Sequence, residues 1–358
     1  MLDHRLGLAA FAAFGVAGAA AADSISPTSY EDTLAVGESV TIEKTVTISE
    51  GAPTDARIDA HFLIDTSGSM GSQVNAAKAA ATDLFNSLND DFGDVQASVG
   101  VFSEGASLTD SDIRGRAIIG DLTSDATTFQ DNVDLVTLGN PDGGGDFPES
   151  GWTGIALAGD NLSWRDGSSR FMFVFTDASA KGDLAGAQAT VADNDINIVA
   201  LSYGSLSTIT SSYATPFGGD AFAATTSAEG IIADVTAGIT AGFAEYEEVS
   251  VSDLGGGLPE IGVSVVCTGA NSGICVGDTA EGDFDRSEER SFTFDVTFER
   301  LAAGETTFET YALLDGGIVA TEIDTFDEPS AVVPVPAALP LLATALGGFA
   351  LVGRRRKA

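Results

Sequence analysis

One carboxylate and two hydroxyls alternate along Asp65-Thr66-Ser67-Gly68-Ser69, directly after the apolar run Phe62-Leu63-Ile64. On a tight loop containing glycine, these three side chains can face one point in space. Hard oxygen donors of this kind suit Mg2+, Mn2+ or Ca2+. Asp, Ser and Gly also build ordinary turns, so the setting of the loop matters. A buried parallel strand reads as a continuous apolar run, and open α/β sheets bind ligands where such strands end. Three donors leave a cation under-coordinated. Two later segments offer more oxygen: Asp146-Phe147-Pro148-Glu149-Ser150-Gly151, just ahead of a helical pattern, and Phe175-Thr176-Asp177-Ala178, at the end of the most apolar stretch.

The elements that must position these loops alternate between two periods. Arg57 to Asp65 predicts a first central strand. Val74, Ala77, Ala81, Leu84, Phe85 and Leu88 form a helical stripe over Gln73–Leu88. Strands follow at Val95–Phe102, Ala117–Leu122 (an edge), Arg170–Thr176, Ile196–Leu201 and Ala221–Thr225. Helices fall at Asp125–Val136 (capped by Ser124 or Asp125), Trp152–Leu162, Leu184–Asn194 and Ser227–Tyr246. Strands alternating with helices predict a doubly wound, mainly parallel sheet over residues 57–245.

Both flanks read differently. Residues 23–34 are polar and read as loose chain. Ser39 to Ser49 alternates as a strand, with a bulge expected near Lys44. Beyond residue 245, Glu247–Leu254, Ile261–Thr268, Ser291–Phe298, Thr306–Leu314 and Ile318–Ile323 are strands separated by Gly- and Asp-rich turns. This predicts an all-β sandwich over residues 246–328. Five strands make it thin. The strands of residues 23–56 would complete it if the α/β unit were inserted into a split β domain. Cys267 and Cys275 are the only cysteines, and in an oxidising compartment they are expected to form a disulfide stapling a hairpin.

The chain carries 53 acidic and 16 basic residues, a net charge of -37. Such a surface argues against nucleic acid or anionic membrane as a partner and favours cations or a saline setting. Five of the bases lie at the ends. Arg5, the apolar stretch Leu6–Ala22 and Ala19-Ala20-Ala21-Ala22 read as a secretory signal peptide, residues 1–22. At the other end, Val333-Pro334-Val335-Pro336-Ala337 precedes an apolar segment, Ala338–Val352, and then Arg354-Arg355-Arg356-Lys357. Basic residues also flank plain membrane anchors, but this segment is short for a full span.

Two family resemblances rest on these residues. Asp65-x-Ser67-x-Ser69 resembles the metal-ion-dependent adhesion site of von Willebrand factor type A domains, and the likeness extends over roughly residues 57 to 245. The Asp146-x-Pro148-Glu149-x-Gly151 loop is similar to that of integrin β domains and bacterial relatives. The resemblance implies that Glu149 reaches the metal and that Asp177 holds it directly or through water, with Thr153, four positions later on the helix, the less favoured ligand. It also implies a second ion, Ca2+, at Glu104, Asp146, Pro148 and Glu149, although Gly144 stands where the family has Asn. A third ion is not implied, because Ser72-Gln73 replaces the acids it needs. Residues 333–358 resemble the VPLPA variant of the PEP-CTERM sorting signals of Gram-negative bacteria, with Val335 in place of Leu. That likeness implies cleavage by an exosortase during transient insertion in the inner membrane, and delivery to the cell surface or extracellular matrix.

The expected function is therefore adhesion. A protein or acidic polysaccharide partner would offer a carboxylate to a divalent cation held by Asp65, Ser67, Ser69, Glu149 and Asp177. The alternatives are an acidic structural matrix protein whose ion serves stability, and a matrix hydrolase. Catalysis has little to work with. His4 belongs to the signal peptide, His61 lies inside an apolar strand as a packed core residue, and no Gly-x-x-x-x-Gly-Lys phosphate loop is present.

Overall fold

The computed structural model describes residues 22–109, 115–138, 147–255, 259–304 and 307–329. The signal peptide (Ala22 apart), the sorting signal and Asp146 fall outside these residues. Among the described residues, no helix is long and apolar enough to cross a membrane.

Three short or polar strands come first among the described residues: β1 (Ser24–Ser26), β2 (Ser29–Thr33) and β3 (Ser39–Ile48). The α/β unit then runs β4 (Ala56–Asp65), α1 (Gly71–Phe92), β5 (Gly93–Phe102), β6 (Gly120–Thr123), α2 (Ala126–Asp134), α3 (Gly151–Asn161), β7 (Ser169–Thr176), α4 (Leu184–Asp193), β8 (Ile196–Ser202), the single turn α5 (Leu206–Ile209), β9 (Asp220–Ala223) and α6 (Ala228–Gly242). Among the described residues seven strands follow: β10 (Glu245–Ser252), β11 (Ile261–Gly269), β12 (Ile274–Val276), β13 (Thr279–Asp285), β14 (Arg290–Arg300), β15 (Thr307–Leu314) and β16 (Gly317–Asp327).

The six-stranded sheet of the α/β unit has the order β6-β5-β4-β7-β8-β9. Every pairing is parallel except that of edge strand β6 with β5. The central strands are apolar on both sides because both faces are covered. Phe62, Ile64, Phe171, Phe173 and Phe175 face α1, α2 and α6, with the Phe62 and Phe173 rings stacked at 5.3 Å. Leu63, Met172 and Val174 face α3 and α4 on the other side. Each buried leucine or phenylalanine of this kind contributes about 1.5–3 kcal/mol. The fold is the doubly wound sheet expected from the alternating periods. The connections leave β4 in opposite directions, towards β5 on one side and β7 on the other, so a crevice opens at the carboxyl ends of these two strands.

The remaining strands form two further sheets, ordered β1-β3-β14-β11 and β12-β13-β10-β15-β16-β2. Strands from before and after the α/β unit share both of them. β3 runs against β14 in unbroken register from Ser39↔Glu299 to Ile48↔Arg290. The bulge expected near Lys44 is therefore absent: Lys44 continues the inward phase of Val46 and Ile48 and is fully buried. Residues 23–34 are not loose chain either. β1 pairs with β3, and β2 lies parallel to β16. Buried Asp23 is clamped by Arg286, with Nη2 2.7 Å from Oδ2. Edge strands with one solvated face carry little apolar signal, which explains why their polar sequences read as loop. The helix expected to reach Tyr246 stops at Gly242, and Tyr246 enters β10 to stack on Phe284. The disulfide Cys267–Cys275 is present. It joins β11 to β12, edge strands of opposite sheets, rather than the two strands of a hairpin.

The sandwich meets the α/β unit at the amino ends of its strands. Ile318 N–H donates to Gly167 O at 2.8 Å, and the Arg57 guanidinium lies over the Tyr311 ring at 5.7 Å. A cleft of about 580 Å³, lined by Arg170, Asp195 and Asp315 among others, lies at this junction. The carboxyl ends of the strands thus point away from the sandwich.

Candidate metal centre

Asp65 is the last residue of β4 and is fully buried. Its two oxygens are already held. Ser67 N–H donates to Oδ1 at 2.8 Å, and Thr176 Oγ1 donates to Oδ2 at 2.7 Å. The first bond closes the Asp-x-Ser turn, which brings Ser67 Oγ to 3.2 Å from Ser69 Oγ. Ser67 is buried and Ser69 is exposed, so the hydroxyl pair runs from the crevice floor to its mouth. The loop is fastened to β5 by Thr66, whose N–H and Oγ1 both donate to Phe102 O.

Glu149 and Asp177 arrive from the other two loops. Glu149 is 2% exposed and sits one residue before the N-cap of α3. Its backbone is knitted to the loop after β7: Glu149 N–H donates to Ser179 O, and Lys181 N–H donates to Glu149 O. Ser150 N–H donates to Ser103 O and Ser150 Oγ to Glu104 O, which ties the same loop to β5. Gly151 is required for close approach, since a Cβ there would lie 2.2 Å from the hydroxyl oxygen of buried Tyr213. Asp177 follows Thr176 at the end of β7 and is partly buried.

Electrostatics draw the set together. Burial, reinforced by the charge of Asp177, pushes the Asp65 carboxyl up to about 6. Glu149 is pushed up to about 7, first by burial and then by the charges of Asp65 and Glu104, against the opposing pull of Lys181. Glu149 Oε2 and Asp177 Oδ1 are buried without a hydrogen-bond partner. Buried carboxylate oxygens left without donors are costly. Together with two adjacent hydroxyls they form the hard, anionic donor set that a divalent cation satisfies. Among the described residues, no three His, Cys, Asp or Glu side chains form a metal cluster by themselves. Any site here depends on the serine hydroxyls.

The structure therefore brings the Asp65, Glu149 and Asp177 carboxyls within electrostatic reach of one another, with Ser67 and Ser69 on the Asp65 loop. The second-ion set is less complete. Glu104 forms an ion pair with Lys181, Pro148 is exposed beside Glu149, and Asp146 lies outside the described residues. Two participants were not singled out from sequence. Thr176 orients Asp65, and its place directly before Asp177 was the available signal. Lys181 supplies a cation beside Glu104, and nothing in its spacing marks it. His61 is fully buried, with Nδ1 2.8 Å from Ser98 Oγ, and burial lowers its pKa to about 3.

Comparison with known proteins agrees with this architecture. Residues 60–201 match the family model of the von Willebrand factor A domain. The α/β unit is thus a von Willebrand factor A-like domain, here accompanied by two antiparallel sheets. Solved structures with similarity include a von Willebrand factor type A protein from Catenulispora acidiphila, at 15% identity and TM-score 0.42, covering 86% of this chain and 74% of that one. Another is the pilus adhesin SpaC from Lactobacillus rhamnosus GG in an open conformation, at 10% identity and TM-score 0.40, covering 81% of this chain and 45% of the adhesin. A third is proximal thread matrix protein 1 from the mussel byssus with a zinc-occupied MIDAS motif, at 14% identity and TM-score 0.40, covering 55% and 48%. The chain spans less than half the length of the latter two. Comparison with curated protein sequences gives no significant match.

Proposed function

We propose that this is an exported adhesion protein of the cell surface or extracellular matrix. Its A-like domain would bind one divalent cation, Mg2+ or Ca2+ with Mn2+ as a substitute, through Asp65, Ser67, Ser69, Glu149 and Asp177. When bound, the cation would offer an open coordination position to a carboxylate on a protein or acidic polysaccharide partner. The observation that carries this reading is the pair of buried, unpartnered oxygens, Glu149 Oε2 and Asp177 Oδ1, on carboxyls whose charges act on one another and on Asp65.

The chain's own residues prepare the site. Thr176 and the Ser67 N–H fix both oxygens of Asp65, so its rotamer is set before anything binds. Orienting a ligand in this way typically contributes 10- to 100-fold in metal affinity, about the effect of an outer-shell partner. Exposed Ser69 and Phe147, the latter 64% exposed, border the mouth where a partner would dock. The large negative charge would favour metal loading and repel an acidic partner until the cation is in place. A binding role is preferred over catalysis because His61 is sealed in the sheet, away from solvent.

Calorimetry of the full chain with Mg2+, Ca2+ and Mn2+, beside Asp65→Ala, tests the proposal. Saturable binding that the substitution removes, with the circular dichroism spectrum unchanged, is the expected result. Binding that survives Asp65→Ala, or no binding at all, would overturn it.

A further inference from the structure

The core of the β-sandwich contains a buried ionic set that the adhesion reading does not use. Lys44 on β3, Glu322 and Asp324 on β16, and Thr310 on β15 all have zero solvent exposure. The lysine belongs to one sheet and the acids to the other, so their contact spans the sandwich. Lys44 Nζ donates to Glu322 Oε2, and it stands 3.1 and 3.2 Å from the two oxygens of Asp324. Near-equal distances to both oxygens place the nitrogen opposite the carboxyl carbon. Thr310 Oγ1 donates to Asp324 Oδ2 at 2.5 Å and polarises that carboxyl. The Phe298 ring lies 5.1 Å from Nζ, packed in turn by Phe308 and Phe326, and excludes water.

This arrangement runs against the pattern of its own strand. β16 turns Glu322 and Asp324 inward and leaves Ile323, between them, 50% exposed. A strand that buries two acids and exposes its isoleucine departs from the binary pattern, and such departures concentrate at functional sites. Two carboxylates and one ammonium cannot all be neutralised by pairing. Glu322 Oε1 accordingly has no partner, and burial, together with the Asp324 charge, raises the Glu322 pKa. Buried ionic clusters are weak sources of stability compared with neutral, well-packed groups.

We propose that Lys44 and Asp324 react autocatalytically to form an isopeptide bond joining the two sheets, with Glu322 carrying the protons. Glu322 takes a proton from the Lys44 ammonium and passes it to Asp324. The nitrogen lone pair then attacks Asp324 Cγ, forming the C–N bond. Glu322 receives the second nitrogen proton and delivers it to the departing hydroxyl. The C–O bond breaks and water leaves. Ammonium and carboxylate become a neutral amide plus one water, and Glu322 is unchanged, so no external reagent is required. General acid–base help and a preset geometry are the two devices the step needs.

Peptide mapping of the purified full chain by mass spectrometry tests this. The expected product is a branched peptide containing Lys44 and Asp324, lighter than its two linear parts by one water. Asp324→Asn should give the same branch with loss of ammonia instead. Glu322→Gln, which keeps shape but cannot shuttle protons, should leave mainly linear peptides. Circular dichroism of each variant verifies folding. Linear peptides in the unmodified protein, a branch through Glu322, or full branching in Glu322→Gln would each overturn the proposal as stated.

Discussion

The molecule buries surplus carboxylates in two places and treats them oppositely. At the carboxyl edge of the parallel sheet, Asp65, Glu149 and Asp177 gather beside serine hydroxyls and a mouth lined by exposed Ser69. In the sandwich, Glu322 and Asp324 are sealed from solvent with Lys44 between them. In the proposed function the first cluster takes its cation from outside, whereas the second carries its own on a side chain. An exchangeable counter-charge suits a site that must respond to its surroundings. A tethered one suits a site that must never open.

The largest contrast should appear when each cluster loses one member. Asp65→Asn should abolish the cation-dependent rise in melting temperature while leaving the metal-free melting temperature within a few degrees, measured by calorimetric scans with and without chelator. Saturating cation at about 100 times Kd would otherwise contribute about 2.7 kcal/mol. Lys44→Ala should do the reverse. It strands two buried acids and removes the proposed bond between the sheets, so it should cost at least about 3–5 kcal/mol by denaturant titration, with cation affinity unchanged. Equal stability losses from both substitutions would erase the distinction.

Two smaller effects sharpen it. Thr176→Val removes the donor to Asp65 Oδ2 and should weaken cation binding about 10- to 100-fold without altering stoichiometry. His61 tests burial opposed only by the smaller effects of the Ala117 backbone and the Asp121 charge. Its folded pKa, about 3, lies below its ordinary 6.5, so its stabilising contribution is complete above 6.5 and is lost as pH falls towards 3. Between about pH 6.5 and pH 5 that loss should reach about 2 kcal/mol, and His61→Gln should show correspondingly less acid sensitivity in urea melts.

Legibility in the sequence followed solvent exposure and period. Strands buried on two faces, such as β4 and β7, announced themselves as unbroken apolar runs, and their terminal acids could be placed without structure. β1 and β2 were missed because edge strands rich in Ser, Thr, Asp and Glu look like turns, and β12 and β13 because one is only three residues long and the other is broken up by Gly, Asp and Glu. Lys44 was misread for a subtler reason. A charged residue in phase with Val40, Ile42, Val46 and Ile48 suggests a break in the strand, since the cost of burying an ammonium is high. Its partners lie some 280 residues away, as the Lys44–Asp324 separation shows, and no local pattern could reveal them. Lys181 was invisible for the same reason: its ion pair with Glu104 is made by loop folding, not by spacing.

The two connections into the A-like domain have a mechanical meaning. β3, in one sheet, leads into β4, while α6 returns directly to β10 in the other sheet. The domain therefore hangs from both leaves of the sandwich instead of swinging on a single tether. A pull at the mouth of the parallel sheet divides between two covalent paths, one per leaf, and tends to shear the leaves past each other. Any bond between the leaves carries that shear.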